Sequence, residues 1–249
     1  MRMSVSEVSR AQMNVRPQRP RTSNHQKSAM AICLTADIVV FTFEDSVLKV
    51  LLARRGRAPY PGRMALPGGF IGDKEPLQKA ALRELNEETG LHLASAEQLG
   101  CFGDPHRDPR GRVVSVAYLG LVSPGRSLQA GSDAAAAKWW PVSKHPPLAF
   151  DHARIVHCAL ERLRHKLEYT TAGFQLLPRK FTLPQLQTLY ESVLDRDLDK
   201  RNFRKKMSLL GILKPLKEWR RTGRKPARLY AFLPKKLERL KDKGILFPF

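Results

Sequence analysis

The stretch from Gly69 to Leu91, GFIGDKEPLQKAALRELNEETGL, constrains this chain more than any other part of its sequence. It matches the spaced pattern G-x5-E-x7-R-E-U-x-E-E-x-G-U, with U an aliphatic residue, at every specified position. Pro76 suits the first turn of a helix, Gly90 suits its C-terminal end, and no other Gly or Pro lies between them. The sequence therefore predicts one continuous helix between these two residues.

This helix would carry three carboxylates close together. At about 3.6 residues per turn, Glu84 and Glu88 lie one turn apart on one face, and Glu87 lies beside them. A solvated acidic face usually alternates Lys with Glu, whereas here only Arg83 is placed to help, at i,i+4 to Glu87. A hard divalent cation would neutralise the three carboxylates better than Arg83 alone. Because Mg²⁺ and Mn²⁺ prefer oxygen ligands and are commonly shared with substrate phosphates, the pattern predicts a metal site directed at a diphosphate.

The pattern resembles the signature of the Nudix hydrolases. The resemblance implies a set of metal-binding and catalytic residues: Glu84 and Glu88 as principal metal ligands, Glu87 as a further ligand, Arg83 to orient Glu87, Glu75 to assist from the loop, and the carbonyl of Gly68 to complete the site. The implied reaction is attack of a metal-activated water on a diphosphate that is linked to some group X, usually a nucleoside. The signature does not identify X.

The net charge of +21 is unevenly distributed along the chain. Residues 1–28 carry six basic and one acidic side chain, residues 29–170 carry eighteen and fifteen, and residues 171–249 carry twenty and seven. We therefore expect a disordered basic arm at 1–28, an enzyme-like domain at 29–170 and a cationic domain at 171–249. A strongly cationic domain points to a polyanion, most often nucleic acid. The arm is equally typical of a tail that only aids solubility.

Cysteine usage and hydropathy indicate the compartment. Cys33, Cys101 and Cys158 are odd in number and form no C-x-x-C pair, so neither a disulfide framework nor a zinc site is predicted. No apolar run approaches the roughly 20 residues of a membrane span, and the amino terminus lacks a secretory signal. We expect a soluble cytoplasmic protein with no membrane partner.

Residues 29–170 have the pattern of an α/β fold with mixed strands. Strands are predicted at 32–43 and 47–54, which form a hairpin, at 97–102, at 113–122, and up to the Trp139-Trp140-Pro141 run, followed by a helix at 151–169. The polar loop 103–112 between two of the strands is a candidate substrate lip.

Several side chains of this domain are candidates for contacts with a nucleoside diphosphate. Guanidinium groups pair bidentately with phosphate oxygens, which makes four arginines candidates: Arg54, Arg63, Arg110 and Arg112. Aromatic rings stack on bases, which adds Tyr60, Phe70, Trp139 and Trp140. The alternatives are ordinary surface arginines and aromatic residues that pack in the core. In the lip, His106 could act in catalysis, and Asp104 or Asp108 could supply a carboxylate from outside the signature.

The C-terminal segment has the pattern of a winged helix-turn-helix. Helices are predicted at 183–194 and 199–210, and strand-like runs at 212–219 and 228–233 flank a basic hairpin tip at 220–226. Basic residues of the second helix and of the tip are candidates for contacts with duplex DNA: Lys200, Arg201, Arg204, Lys205, Arg224 and Lys225. A basic structural appendage or a dimerisation module is the alternative.

The stretches 181–191, 198–207 and 227–230, with 103–112 and 149–152 upstream, resemble the Nudix-related transcriptional regulators of NAD metabolism and related ADP-ribose Nudix hydrolases. This resemblance covers residues 30–249. It implies a Nudix α/β/α sandwich followed by a winged helix, recognition of ADP-ribose or a close NAD derivative, a bacterial source and a homodimer. Many such regulators carry a degraded signature and only sense their ligand, whereas here every carboxylate is present.

Three functions follow from these observations. The first is a hydrolase, dependent on Mg²⁺ or Mn²⁺, that cleaves ADP-ribose and is fused to a DNA-binding winged helix. The second is a transcriptional regulator that senses ADP-ribose without turnover. The third is an RNA- or nucleotide-processing enzyme that holds its substrate with the basic domain.

Overall fold

The N-terminal part of the chain contains both strands and helices. The computed structural model describes residues 31–129, 134–170, 172–222, 225–234 and 236. The predicted arm at 1–28 lies outside these residues. The elements of the N-terminal part are β1 (Cys33–Glu44), β2 (Val47–Arg55), β3 (Met64–Ala65), β4 (Gly68–Phe70), α1 (Leu77–Thr89), β5 (Glu97–Phe102), β6 (Val113–Val122), β7 (Ala134–Pro141) and α2 (His152–Tyr169).

These strands form one mixed sheet in the order β3-β2-β1-β6-β5, with β4 also paired to β1 and β7 to β2. The pair β1–β6 is parallel, whereas β1–β2, β1–β4, β2–β7 and β5–β6 are antiparallel. The predicted hairpin is present. Its two-residue turn places Asp45 and Ser46 at positive φ, 53° and 64°, as the twist of a tight hairpin favours.

Alternate side chains of β1 point into opposite layers, because successive strand residues face opposite sides of a sheet. Val39 and Phe41 belong to the cluster that contains the apolar face of α2, and Ile38 and Val40 belong to the cluster that contains Leu85 of α1. The sheet therefore lies between α1 and α2. This arrangement confirms the predicted α/β/α sandwich.

The C-terminal part is a winged helix. Its elements are α3 (Ala172–Gln175), β8 (Phe181–Thr182), α4 (Leu183–Leu194), α5 (Lys200–Leu210), β9 (Leu213–Thr222) and β10 (Lys225–Phe232). A capping box between Thr182 and Gln185 starts α4, and the side chain of Asp199 caps α5. The small sheet has the order β8-β10-β9.

The wing differs from the predicted one in the length of its strands. The basic residues assigned to a tip at 220–226 continue the ladder instead, since Arg220 pairs with Ala227 and Arg221 with Pro226. Solvated basic side chains do not interrupt backbone pairing in a two-stranded ribbon. The strands therefore extend beyond the apolar residues from which they were predicted. The ladder reaches the pair Thr222 and Lys225. Residues 223–224, and with them the predicted contact Arg224, lie outside the described residues. Lys225 is the first residue of β10.

One apolar cluster joins the two parts of the chain. Leu163 and Leu167 of α2 belong to the same cluster as Leu186 and Leu189 of α4. At this junction the Nε of Arg164 donates to the carbonyl of Val193 at 2.8 Å. The winged helix is thus packed on α2. Within the described ranges, no helix has both the length and the apolar character needed to cross a membrane.

Candidate active site

The carboxylate helix has the predicted form. It runs from Leu77 to Thr89, directly after Pro76, and ends at Gly90, whose φ of 69° is left-handed and whose N–H donates to the carbonyl of Asn86. The helix presents the signature side chains to a loop on one side and to the sheet on the other.

Arg83 organises three carboxylates and not only the one expected from its spacing. Its Nε and Nη2 donate to the two oxygens of Glu75 at 2.8 and 2.9 Å. Its Nη1 donates to Glu84 at 2.7 Å and to Glu87 at 3.0 Å. The bonds from Arg83 hold the pKa of Glu75 below its usual range. Arg83 therefore fixes the loop carboxylate and two helix carboxylates together.

Glu88 faces inward, and its charge is only partly compensated. Its Oε2 is buried and has no hydrogen-bond partner among the described residues. Burial, followed by the charge of Glu84, raises the pKa of Glu88 to about 8, although a hydrogen bond with the Gly68 backbone opposes the shift. Burial also raises the pKa of Glu84, against the bonds from Arg83. A buried carboxylate oxygen without a donor is a position that a cation would stabilise.

Two glycines bring bare backbone against these carboxylates. A Cβ on Gly69 would lie 2.4 Å from Oε1 of Glu84, and a Cβ on Gly68 would lie 2.4 Å from Oδ1 of Asp37. Any side chain at either position would therefore collide with a carboxylate. Glycine permits this close approach because it has no side chain.

The donor set fits a hard divalent cation. It consists of the Glu84, Glu87 and Glu88 carboxylates and the nearby Gly68 backbone, and such oxygen ligands suit Mg²⁺ or Mn²⁺. Across the described residues, however, no three His, Cys, Asp or Glu side chains already converge as a ligand cage. Arg83 accounts for this, because it engages Glu84 and Glu87 itself.

A cleft with a volume of about 170 Å³ opens beside Glu88. Of the four arginines predicted to contact phosphate, Arg54 and Arg110 line it. The structure places the other two elsewhere: Arg112 donates to the Gly103 carbonyl and closes the base of the lip, and Arg63 lies over the ring of Tyr60 at 5.4 Å. Neither lines the cleft, so the structure does not bring these two arginines together with Arg54 and Arg110. Three further arginines that sequence reasoning missed also line it: Arg55, Arg57 and Arg107.

The aromatic candidates also divide into residues at the cleft and residues that pack against the apolar clusters. Phe70 lines the cleft, and Tyr60 stands edge-on to Phe150, which also lines it, with ring centroids 5.2 Å apart. Trp139 and Trp140 lie in β7, where one packs against the α1 cluster and the other against the α2 cluster. The two tryptophans are therefore packing residues and not stacking partners, and Phe150 is a missed cleft residue.

A buried ion pair forms part of the cleft. Arg107 makes a bidentate contact with Asp151, with Nη2 to Oδ1 at 2.7 Å and Nε to both oxygens at 3.1 Å. Its Nη2 also lies 3.6 Å from Asp37, which accepts a short hydrogen bond from Ser115. This pair joins the lip to the start of α2.

His152 connects the same network to the glycine segment. Its Nδ1 accepts the backbone N–H of Leu66 at 2.9 Å, and its Nε2 lies 3.7 Å from Asp37. Complete burial lowers the pKa of His152, so the ring is neutral with its proton on Nε2. The contact holds Leu66 in place two residues before Gly68. A single Asp inside the apolar run of β1 is the sequence signal that could have indicated this network, which sequence reasoning missed.

The lip carries the other catalytic candidates. Asp108 is buried, lines the cleft and accepts several hydrogen bonds from Arg110. Burial alone would raise the pKa of Asp108, but those hydrogen bonds hold that pKa below its usual range. Asp104 is exposed and 3.9 Å from Arg154. His106 is exposed, and the cleft lining does not include it. Of the three, only Asp108 faces the cleft.

The winged helix presents a basic helix face. Phe203 and Met207 are buried against the domain, while the predicted DNA contacts of α5 are all exposed: Lys200, Arg201, Arg204 and Lys205. A mixed sheet between two helices, one of which carries the carboxylates, followed by a winged helix, defines a Nudix domain joined to a DNA-binding type of module.

Comparison with known proteins identifies the family. The NUDIX domain matches residues 33–158, and the NrtR DNA-binding winged helix domain matches residues 173–232. The ADPR responsive transcriptional repressor NtrR of Acinetobacter baylyi is 34% identical over 203 residues, covering 80% of this chain and 81% of that protein. The crystal structure of Shewanella oneidensis NrtR complexed with a 27mer DNA is 36% identical, with a TM-score of 0.69, and the match covers 82% of this chain and 95% of that one. The chain belongs to the Nudix family and, within it, to the NrtR group that carries a winged helix.

A shorter relative represents the hydrolytic side of the family. The ADP-ribose pyrophosphatase of Methanocaldococcus jannaschii is 43% identical over 108 residues, which is 43% of this chain and 63% of that protein.

Proposed function

We propose that this chain is a DNA-binding regulator whose Nudix cleft binds ADP-ribose and hydrolyses it, with water, to AMP and ribose 5-phosphate. The observation that carries the proposal is the unpartnered, buried oxygen of Glu88 beside a cleft lined by arginines. The names of the repressor and of the pyrophosphatase to which the chain is similar support ADP-ribose as the ligand.

The residues have distinct roles in this proposal. Mg²⁺ or Mn²⁺ would be held by Glu84, Glu88 and Glu87 with the Gly68 carbonyl, and when bound it supplies positive charge at the phosphoryl oxygens and a water of lowered pKa. Arg83 holds the carboxylates of Glu75, Glu84 and Glu87 in position through ion pairs. Arg54, Arg55 and Arg110 bind the phosphates, and Phe70 offers a ring to the base.

The test of catalysis is release of AMP from ADP-ribose by the purified full-length chain with Mg²⁺ or Mn²⁺. Glu84→Gln and Glu88→Gln should each reduce turnover by about 100-fold or more, because each removes charge from the metal site. Glu218→Gln, in the wing and paired with Lys180, is the matched control. Equal rates in the wild type and both site variants would contradict the catalytic role.

A sensor without turnover is the second candidate, and one observation favours it. The relative that is similar over 80% of this chain is named as a transcriptional repressor. Calorimetric binding of ADP-ribose without any release of AMP would identify this role. Binding to RNA in preference to a specific duplex would instead indicate a nucleotide-processing enzyme.

The DNA-binding proposal rests on the basic face of α5. Lys200, Arg201, Arg204 and Lys205 are exposed there, and we place Arg224 and Lys225 at the same interface. Winged helices of this kind usually bind DNA as dimers, so we propose a homodimer that acts in the bacterial cytoplasm, with module boundaries near residues 29 and 171. Sedimentation of the full-length chain, alone and with a promoter fragment, measures the stoichiometry.

A further inference from the structure

Phe150 has a backbone conformation that is unfavourable for its side chain. Its φ is 52°, in the left-handed region, which residues with a Cβ adopt at a cost. Phe150 is half-buried and lines the cleft. It is absent from the apolar clusters that the described residues form, so packing in the core does not explain why a large ring occupies this position.

The ring of Phe150 instead contacts two cations. The guanidinium of Arg55 lies 4.7 Å from the ring centroid, and that of Arg110 lies 5.7 Å from it. Both distances are within the range of cation–π attraction. The edge-on contact with Tyr60 fixes the ring from a third side.

Each arginine is also held by a second contact. The Nε of Arg55 donates to the Pro59 carbonyl at 2.7 Å, and Arg110 is paired with the buried carboxylate of Asp108 at 2.7 Å. Arg55 has no carboxylate within ion-pair distance among the described contacts. The two guanidinium groups are thus anchored on one ring, and like charges held in this way repel each other.

Burial, and after it the charge of Arg110, lowers the pKa of Arg55. This shift agrees with the geometry, in which two cations share one ring at the wall of a cleft. An anion with several charged oxygens, bound between the two arginines, would remove the repulsion and accept bidentate bonds from both.

We propose that Phe150 is a positioning residue, whose ring holds Arg55 and Arg110 as a two-armed clamp for the diphosphate group of the ligand. This inference rests on the proposed function insofar as the ligand contains a diphosphate. It assigns Arg55 and Phe150, which the signature does not include, to ligand recognition.

The strained backbone separates this role from a merely structural one. Glycine adopts a positive φ without cost, so Phe150→Gly should leave the unfolding temperature unchanged or raise it. The same substitution removes the ring that holds the clamp. A stable protein with weakened anion binding is the combination that a structural role would not produce.

The experiment measures binding of inorganic pyrophosphate, ADP-ribose and adenosine to the full-length protein by calorimetry in the presence of a chelator. Phe150→Leu and Phe150→Gly should raise the Kd of pyrophosphate and ADP-ribose about tenfold, whereas Phe150→Tyr, which keeps the ring, should stay within about twofold of the wild type. Arg55→Gln should weaken binding in the wild type and add little in the Phe150→Leu background, because the two residues act as a unit. Phe102→Leu is the matched control, since that ring pairs with Arg154 at 5.9 Å and is not among the residues that line the cleft.

The outcomes separate the two proposals. Unchanged affinity of Phe150→Leu for ADP-ribose, or full additivity with Arg55→Gln, would overturn the clamp and leave the proposed ligand standing. Binding of pyrophosphate that depends on Phe150, without binding of ADP-ribose, would support the clamp and contradict the proposed ligand. A wild-type protein that binds neither anion would overturn both.

Discussion

Burial of the Glu88 carboxyl makes the site sensitive to pH. An unfolded chain releases this proton near the ordinary value of 4.5, whereas the folded chain retains it up to a pKa of about 8. Between these values the folded state binds more protons than the unfolded state, so the free energy of unfolding falls as the pH rises. The metal-free protein should therefore be more stable near pH 5 than near pH 8, as far as Glu88 is concerned.

We expect Glu88→Gln to remove this part of the pH dependence. Urea unfolding of the wild type and the variant in the presence of a chelator, at intervals between about pH 5 and pH 8, measures the difference. His152, whose lowered pKa reduces stability below about pH 6.5, is present in both proteins and cancels in the comparison. Parallel curves for the two proteins would show that Glu88 ionises normally in the folded state.

The close approach of Gly69 to Glu84 gives a second prediction at this scale. Gly69→Ala should lower Mn²⁺ affinity and reduce any metal-dependent hydrolysis by about 100-fold, because the added methyl group displaces the carboxylate. Gly100→Ala is the control, since a Cβ there meets nothing within 4 Å. If Gly69→Ala bound Mn²⁺ as tightly as the wild type does, Glu84 would be free to move without loss of metal affinity.

At the scale of elements, α2 connects the cleft to the winged helix. Its start is held by the pair between Arg107 and Asp151 and by the bond from Leu66 to His152. Its far end is bonded through Arg164 to α4. One helix thus contacts the cleft network at its start and, further along, α4, the helix that precedes α5 in the winged helix.

Asp151→Asn should weaken the coupling between the two surfaces. ADP-ribose is expected to change the affinity of the wild type for its DNA, and the same coupling free energy governs the reverse effect. In the variant, the affinity for DNA in the absence of ADP-ribose should persist. The change in that affinity caused by ADP-ribose should become smaller. Fluorescence anisotropy titrations measure both quantities, with His157→Gln, an exposed change on the same helix, as the control. An undiminished shift would indicate another route.

The basic face of α5 yields a prediction about salt. Arg204→Gln should lower the slope of log K against log salt by about 1 if the side chain neutralises one phosphate. Lys79→Gln, an exposed change on α1, should leave the slope unaltered. An equal slope in wild type and Arg204→Gln would remove this residue from the phosphate contacts.

The elements that sequence patterns predicted are those whose signals are local. The Glu84–Glu88 spacing and the Gly90 stop define α1 within one segment, and alternation defines β1. The cleft network was missed because Asp37, Arg107 and His152 are distant in sequence and meet only through packing of the sheet, the lip and α2. Strand length in the wing was also missed, since cross-strand pairing and not residue type sets it.

At the scale of the whole molecule, the shared apolar cluster predicts cooperative unfolding. Deletion of residues 171–249 would expose Leu163 and Leu167, which pack with leucines of α4. Each buried leucine contributes about 2 kcal/mol, so the truncated protein should unfold at a clearly lower temperature while its cleft residues remain in place. Calorimetry of both proteins measures this, and two separate transitions in the full-length chain would contradict a common core.

The common core also limits how such a protein can acquire a new DNA target. A winged helix taken from another protein and joined after α2 would have to match the leucine surface at Leu163 and Leu167, or the graft would leave a void or a collision at the junction. Exposed residues of α5 carry no such constraint, because they touch solvent and not the core. New operator preferences are therefore more accessible by point substitutions on α5 than by recombination of whole modules.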